Sequence, residues 1–269
     1  MKEDNGKSRR KQQEEADGGF FPSSFIPHPS SFGKLAAGEV HVWSWALGRP
    51  AGEVARLLEL LADDERERAG RYLHVPAREQ FVAARAGLRL ILAGYLALDS
   101  ARIAFTHGPA GKPALAHWPG LHFNVSHSAD VALIAVTRRG EVGVDVERVR
   151  PFANDLGMAE RFFSPYETGV LRSLEGERRR AAFFHAWTRK EAYLKARGQG
   201  LSYGLERVEV TLLPEEAARF LRIDGCERLA AQWSLHHLVP AVGCVGALTL
   251  HGHDYELRCW RWNGAAETP

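Results

Sequence analysis

Cysteine is scarce, with three residues in 269: Cys226, Cys244 and Cys259. Their number is odd and their spacing wide, which excludes a disulfide scaffold and a zinc-site pattern and fits a reducing compartment. An excess of one charge is lacking as well. Thirty-five Lys and Arg face 33 Asp and Glu, a formal net charge of +2. That balance gives no molecule-wide basic field for nucleic acid, so any anion-binding site must be local. Long apolar runs are missing: the stretch 242–250 is too short to span a bilayer. The opening residues, MKEDNGKSRRKQQEEAD, alternate charges where a secretory signal would carry an apolar segment. These absences predict a soluble, cytoplasmic protein with neither a membrane nor a nucleic-acid partner. Absent too are GxxxxGKS/T, GxGxxG, a serine nucleophile elbow and HExxH.

What is present is an ordinary globular composition, 45% hydrophobic and 25% charged, over a length suited to one large or two small domains. Residues 1–37 form an N-terminal extension. Its first 19 positions are nearly all polar or charged, and Pro22, Pro27 and Pro29 forbid a regular helix beyond them. Composition therefore predicts disorder there, in a segment dispensable for folding. An alternating strand pattern, HVWSWAL, begins near Val40. Val54, Leu57, Leu58 and Leu61 share one helical face, and the charged turn DDERER follows. A longer helix opens at Pro76, with Phe81, Ala84, Leu88, Ile91, Leu92 and Tyr95 at spacings of three and four. Strands are predicted over 121–125, 131–136 and 142–147, with Arg138-Arg139-Gly140 turning the last two into a hairpin. Ser164-Pro165-Tyr166-Glu167 is a capping box, and a helix over 178–197 ends at Gly198. Strands near 208–212, 232–238, 245–250 and 257–262 finish the chain. Grouped helices and antiparallel hairpins point to an α+β fold.

Three constellations carry chemistry. In Gly143-Val144-Asp145-Val146-Glu147, strand alternation sends both valines into a core and both carboxylates to the other face, toward a solvent-filled cleft. Two carboxylates about 7 Å apart can chelate a hard cation such as Mg²⁺, or can be an ordinary solvated face. In Trp187-Thr188-Arg189-Lys190-Glu191-Ala192-Tyr193-Leu194-Lys195, positions 187, 191 and 195 fall in one helical stripe. Glu191 and Lys195 could be a plain surface pair, worth about 0.3–0.5 kcal/mol. Alternatively, the nearby Trp187 marks a packed face on which Glu191 needs a stronger partner. Third, Gly111-Lys112-Pro113 offers one ammonium, and Phe123-Asn124-Val125-Ser126-His127-Ser128 ends a strand in amide, hydroxyl and imidazole groups suited to phosphate oxygens. A loop lysine and a hydrogen-bonded strand-end histidine are the plain alternatives. Together the groups suit a metal-bound diphosphate and transfer of a phosphoryl-linked group.

The order GKPxL, FNxSHS, GVDVE, FFSPxE and WTRKEAxLKAxGxGL resembles the Sfp-type 4′-phosphopantetheinyl transferase family, from about Val40 to Leu250. The resemblance implies a pseudo-dimer of two similar α+β lobes, 38–140 and 141–252, with a C-terminal strand and tail over 253–269 and the active site in the cleft between lobes. It implies a monomer, because the shorter single-lobed synthases that trimerise lack the second lobe. The implied reaction moves the phosphopantetheine arm of coenzyme A onto a serine of an acyl or peptidyl carrier protein and releases adenosine 3′,5′-bisphosphate. Asp145, Glu147 and Glu191 then resemble the Mg²⁺ ligands, with Glu191 also at the position of the general base and Lys195 at a diphosphate contact. Ser126 and His127 match phosphate-binding positions, Lys112 lies in the coenzyme loop, and Arg68 aligns with a basic coenzyme contact. His107 stands where some relatives have arginine, a weaker phosphate partner near neutral pH. On the residues alone two rivals stay open, a carboxylate-metal phosphohydrolase and a non-catalytic module that binds coenzyme A or a carrier.

Overall fold

The computed structural model describes residues 19–20 and 35–262. In chain order its strands are β1 (Gly19–Phe20), β2 (Glu39–Ala46), β3 (Phe105–His107), β4 (Pro113–Leu115), β5 (His122–Ser128) and β6 (Val131–Thr137). They continue as β7 (Val142–Arg148), β8 (Val208–Val210), β9 (Phe220–Ile223), β10 (Trp233–Val239), β11 (Cys244–His251) and β12 (Glu256–Trp262). The helices are α1 (Ala51–Glu59), α2 (Asp63–Gly70), α3 (Val75–Leu96), α4 (Asp155–Phe162), α5 (Pro165–Arg172), α6 (Gly176–Arg197) and α7 (Glu227–Ala230). Among the described residues no helix is long and apolar enough to cross a membrane.

Each lobe repeats one plan: a four-stranded sheet, a helix of 22 residues against it and a two-stranded hairpin beside it. The first sheet runs β12-β2-β6-β5 and the second β1-β10-β11-β7. In both, one edge strand (β12 and β1) pairs in parallel and the rest are antiparallel. Helix α3 covers the first sheet through Leu88, Ile91 and Leu92 against Trp43, Trp45 and Ile134. Helix α6 covers the second through Phe183, Ala192 and Tyr193 against Trp233, Leu235 and Ala247. Between the sheets lies a third core of Val40, Val42, Leu133, Val144, Val146 and Leu248. Each such buried side chain contributes about 1.5–3 kcal/mol by leaving water. The order of layers is therefore helix, sheet, sheet, helix, an α+β pseudo-dimer.

The expected strands and helices are present, and the differences have physical causes. Arg138-Arg139-Gly140 does not close a hairpin, because β6 and β7 belong to different sheets and this turn carries the chain from one lobe to the other. The hairpin is β5–β6, with Ser128 opposite Val131. Strand β6 is buried on both faces, and its sequence VALIAVT carries no alternation that would tell its partners. Strand β2 is likewise buried on both faces along all but its last residue, since it lies between a helix layer and the second sheet. Where composition predicts no structure, Gly19–Phe20 pair in parallel with Leu238–Val239. The expectation for 1–18 and 21–34 falls outside the described residues. Strand β12 returns to the first lobe, lying parallel to β2 with Trp260 stacked on Trp43 at 4.8 Å.

Candidate active site

Gly143 sets the site. A Cβ there would lie 1.9 Å from the Ala192 carbonyl oxygen and 2.4 Å from the Ala196 nitrogen, so only glycine lets α6 press its backbone onto β7. This contact brings Asp145 and Glu147 of β7 beside Glu191 and Lys195 of α6. The helix is anchored from its other face. Lys190, fully buried, donates to Glu167 Oε2 at 2.5 Å and to the carbonyls of Leu205 and Val208 at 3.0 and 2.6 Å. Glu167 also closes the Ser164 capping box and accepts from Val210 N–H at 2.9 Å. Gly198, at φ 63°, ends the helix. Trp187 stacks on Phe183 at 5.9 Å, so the stripe it shares with Glu191 is packed.

Asp145 is 4% exposed, which corrects the expectation of a carboxylate facing a solvent-filled cleft. The reason is the opposite lobe: β5 covers it. Its Oδ1 accepts from Lys195 Nζ at 2.6 Å and from Ser126 Oγ at 2.7 Å, while Oδ2 is buried without a partner. Lys195 thus reaches across to Asp145, so the plain surface pair with Glu191 is not what forms. Glu147 Oε2 accepts from Ser128 Oγ at 2.8 Å, and burial pushes its carboxyl above the usual range, with Asp145 adding to the rise. Burial, then the charges of Asp145 and Glu147, push Glu191 up to about 7, against the pull of Lys195. A carboxyl at that value is matched to proton transfer near neutral pH.

Between α3 and β5, a cavity of about 310 Å³ is lined by Arg68, Tyr72, Phe81, Arg85, Val125 and His127. Arg68 and His127, expected at the coenzyme, therefore share one cavity. Arg68 lies over the Phe81 ring at 5.1 Å. Desolvation, then the Lys195 charge, lower the His127 pKa. Sequence reasoning missed Arg85, which pairs with Glu65 and lies over Phe105 at 4.4 Å. Its place on α3, four residues after Phe81, is the only local signal for it. Lys112 is elsewhere: its Nζ donates to the carbonyls of Val142 and Ala196 at 3.0 and 2.8 Å, clipping the first lobe's β3–β4 loop onto β7 and α6. Burial lowers it to about 8. His107, on β3 opposite Pro113, is exposed. A second cavity of about 350 Å³, lined by Glu147, Arg150, Phe152, Met158, Phe183 and Trp187, opens beside Glu147. A larger one of about 560 Å³, at Tyr166, Arg219 and Arg222, holds none of these groups and is a surface concavity of the second lobe.

As they stand, no three His, Cys, Asp or Glu side chains among the described residues are drawn together to hold a metal. Glu191, raised by the charges of Asp145 and Glu147, and those two acids, one of them with an unpartnered buried oxygen, are nevertheless a hard-oxygen donor set that fits a small divalent cation.

Comparison with known proteins gives the same direction. The family profile of the 4′-phosphopantetheinyl transferase superfamily matches residues 141–255, and that of the 4′-phosphopantetheinyl transferase N-terminal region matches 49–139. The chain is 38% identical over 242 residues to the 4′-phosphopantetheinyl transferase HetI of Nostoc sp., covering 89% of this chain and 98% of that protein. It is 33% identical over 203 residues to the phosphopantetheinyl transferase of Thraustochytrium sp., covering 68% and 70% of the two chains. With the 4′-phosphopantetheinyl transferase Sfp of Bacillus subtilis it shares 29% identity over 160 residues, 60% of this chain and 70% of that one. Matched nearly end to end by one relative and in both lobes by the family's profiles, the chain belongs to the 4′-phosphopantetheinyl transferase superfamily.

Proposed function

We propose that this enzyme transfers the 4′-phosphopantetheine group of coenzyme A to a serine of an acyl or peptidyl carrier protein, with Mg²⁺ required and adenosine 3′,5′-bisphosphate released. The observation that carries the reading is the meeting of Asp145, Glu147, Glu191 and Lys195 at the β7–α6 contact, with Asp145 Oδ2 buried and unpartnered. Asp145, Glu147 and Glu191 would hold the ion, which supplies neutralising charge to a diphosphate. Glu191 accepts the proton of the carrier serine hydroxyl as that oxygen bonds to the phosphorus bearing the pantetheine arm. The bond to the adenosine-side phosphate breaks, and its electron pair leaves with the bisphosphate. Lys195, with 28% of its side chain exposed, presents its ammonium to the charge that develops there. The cavity of Arg68 and His127 takes the phosphorylated adenosine end, while Ser126 lies at Asp145 and Lys195 and Lys112 holds the β3–β4 loop against β7 and α6. Catalysis then consists of positioning and electrostatics, which is what phosphoryl transfer demands. In this reading the enzyme is monomeric and cytoplasmic; the free cysteines support a reducing compartment.

Incubation with coenzyme A and one carrier each from fatty-acid, polyketide and peptide synthesis, with Mg²⁺ or with chelator, tests this. The carrier should gain the phosphopantetheine mass in the presence of Mg²⁺ alone. Cleavage of coenzyme A with no change in any carrier would identify a phosphohydrolase, and binding with no turnover a non-catalytic module.

A further inference from the structure

Strand β5 carries Asn124, Ser126 and Ser128 at every second position, so the three lie on one side of it. Facing them, β7 is the last strand of its sheet, with β11 on its other side. An edge strand offers a row of unpaired backbone groups to whatever lies next to it. Here that row meets side chains. Asn124 Oδ1 accepts from Val144 N–H at 2.8 Å, Ser126 Oγ from Val146 N–H at 3.4 Å and Ser128 Oγ from Arg148 N–H at 3.1 Å. A step of two on β5 matches a step of two on β7, in a ladder of side chains that joins the lobes. Both serines then donate onward. Ser126 gives its proton to Asp145 Oδ1 at 2.7 Å and Ser128 gives its proton to Glu147 Oε2 at 2.8 Å. A hydroxyl has one proton, and acceptance from the backbone aims that proton at the carboxylate. Each serine thereby fixes one oxygen of one acid against the backbone and leaves the other oxygen outside the ladder.

We propose that Asn124, Ser126 and Ser128 form a positioning ladder that sets the Asp145 and Glu147 carboxylates for the divalent ion, with Ser128 the positioning residue of Glu147. The inference rests on the metal reading given above. It gives Ser126 a task on its own side of the cleft, toward Asp145 and Lys195 Nζ at 2.8 Å. Ser128 is the member that separates positioning from folding. Its bond from Arg148 N–H is exposed, so water can replace it, whereas Asn124 is 3% exposed and its loss would strand a buried N–H. Without the Ser128 hydroxyl, the Glu147 carboxyl can turn toward Arg150, which lines the same cavity.

The test compares the full chain with its Ser128→Ala and Ser128→Thr variants. Free Mn²⁺ is followed by electron paramagnetic resonance in the presence of coenzyme A, after subtraction of a coenzyme A blank. The Mg²⁺ concentration for half-maximal transfer and the melting temperature in chelator are measured alongside. Ser128→Ala should bind Mn²⁺ about tenfold or more weakly. It should need correspondingly more Mg²⁺, and melt within about 4 °C of wild type in chelator. Ser128→Thr, which keeps the hydroxyl, should recover metal binding. Equal Mn²⁺ affinity in wild type and Ser128→Ala would overturn the ladder alone. So would equal losses in both variants, or unfolding of the alanine variant, since these would mark a packing role. A wild type that takes up no Mn²⁺ would overturn the metal reading itself, and the ladder with it.

Discussion

Asp145 has two unequal oxygens: Oδ1 accepts from Lys195 and Ser126, and Oδ2 is buried with no partner. The first arrangement stabilises the fold and the second is costly without a cation, so in the proposed reaction the residue serves structure and chemistry at once. Asp145→Ala should abolish transfer and also lower stability by about 1–3 kcal/mol, because Ser126 and Lys195 lose their shared acceptor. Urea unfolding of the variant in chelator checks this, and unchanged stability would show that these bonds hold nothing in solution. The candidate acids were legible from local spacing. A strand's period of two puts 145 and 147 on one face, and a helix's period near four puts 187, 191 and 195 in one stripe. What spacing could not show is that Lys195 pairs with Asp145, fifty positions away. Nor could it show that β5, from the other lobe, shields Asp145 from solvent. Such contacts depend on which sheets meet, and no local pattern encodes that.

Helix α6 is held to its sheet on one side by the glycine contact and on the other by the buried Lys190–Glu167 pair. The sequence WTRKEA thus alternates tasks along one turn: Lys190 faces inward as an anchor and Glu191 faces the cleft. Lys190→Met should cost about 3–5 kcal/mol, since Glu167 would remain as a buried carboxylate without its cation. A double variant that adds Glu167→Gln should recover much of that loss, because glutamine still completes the capping box. Denaturation curves of the single and double variants decide it; an additive double loss would contradict the pairing. The same helix packs His185 against His237 of β10, with ring centroids 4.7 Å apart. Burial, with Arg189 nearby, holds these imidazoles down to about 3 and about 4. Below about pH 6.5 the unfolded chain takes up protons that the folded pair refuses. Stability therefore falls as pH drops from about 6.5 toward about 4, by up to about 1.4 kcal/mol per unit for each histidine. Glu191 and Glu147, pushed upward, act in the opposite direction over this window. The informative quantity is thus a difference: His237→Phe should lose less stability than wild type between pH 7 and pH 5, and equal losses would contradict it.

At the scale of the molecule, two lobes of one plan face each other along β5 and β7, and the acids lie on that seam. The helices and strands were legible because capping residues, glycine ends and apolar periods are local signals. The crossing between lobes was not: residues 138–140 read as a hairpin turn because two neighbouring apolar strands usually pair. The return of β12 to the first sheet was hidden for the same reason, since its tryptophans pack on partners more than two hundred positions away. Building one site from both lobes makes the proposed chemistry depend on their seam, and in the proposed reaction Glu191 is where that chemistry is concentrated. The most direct measurement is the intact mass of a carrier protein incubated with coenzyme A, Mg²⁺ and either wild type or Glu191→Gln. Wild type should convert the carrier to its phosphopantetheinyl form, while Glu191→Gln, folded as wild type by its melting temperature, should be slower by about 100- to 10,000-fold. Conversion by the glutamine variant at a rate near wild type would contradict the account, because no other carboxylate of α6 stands at this seam.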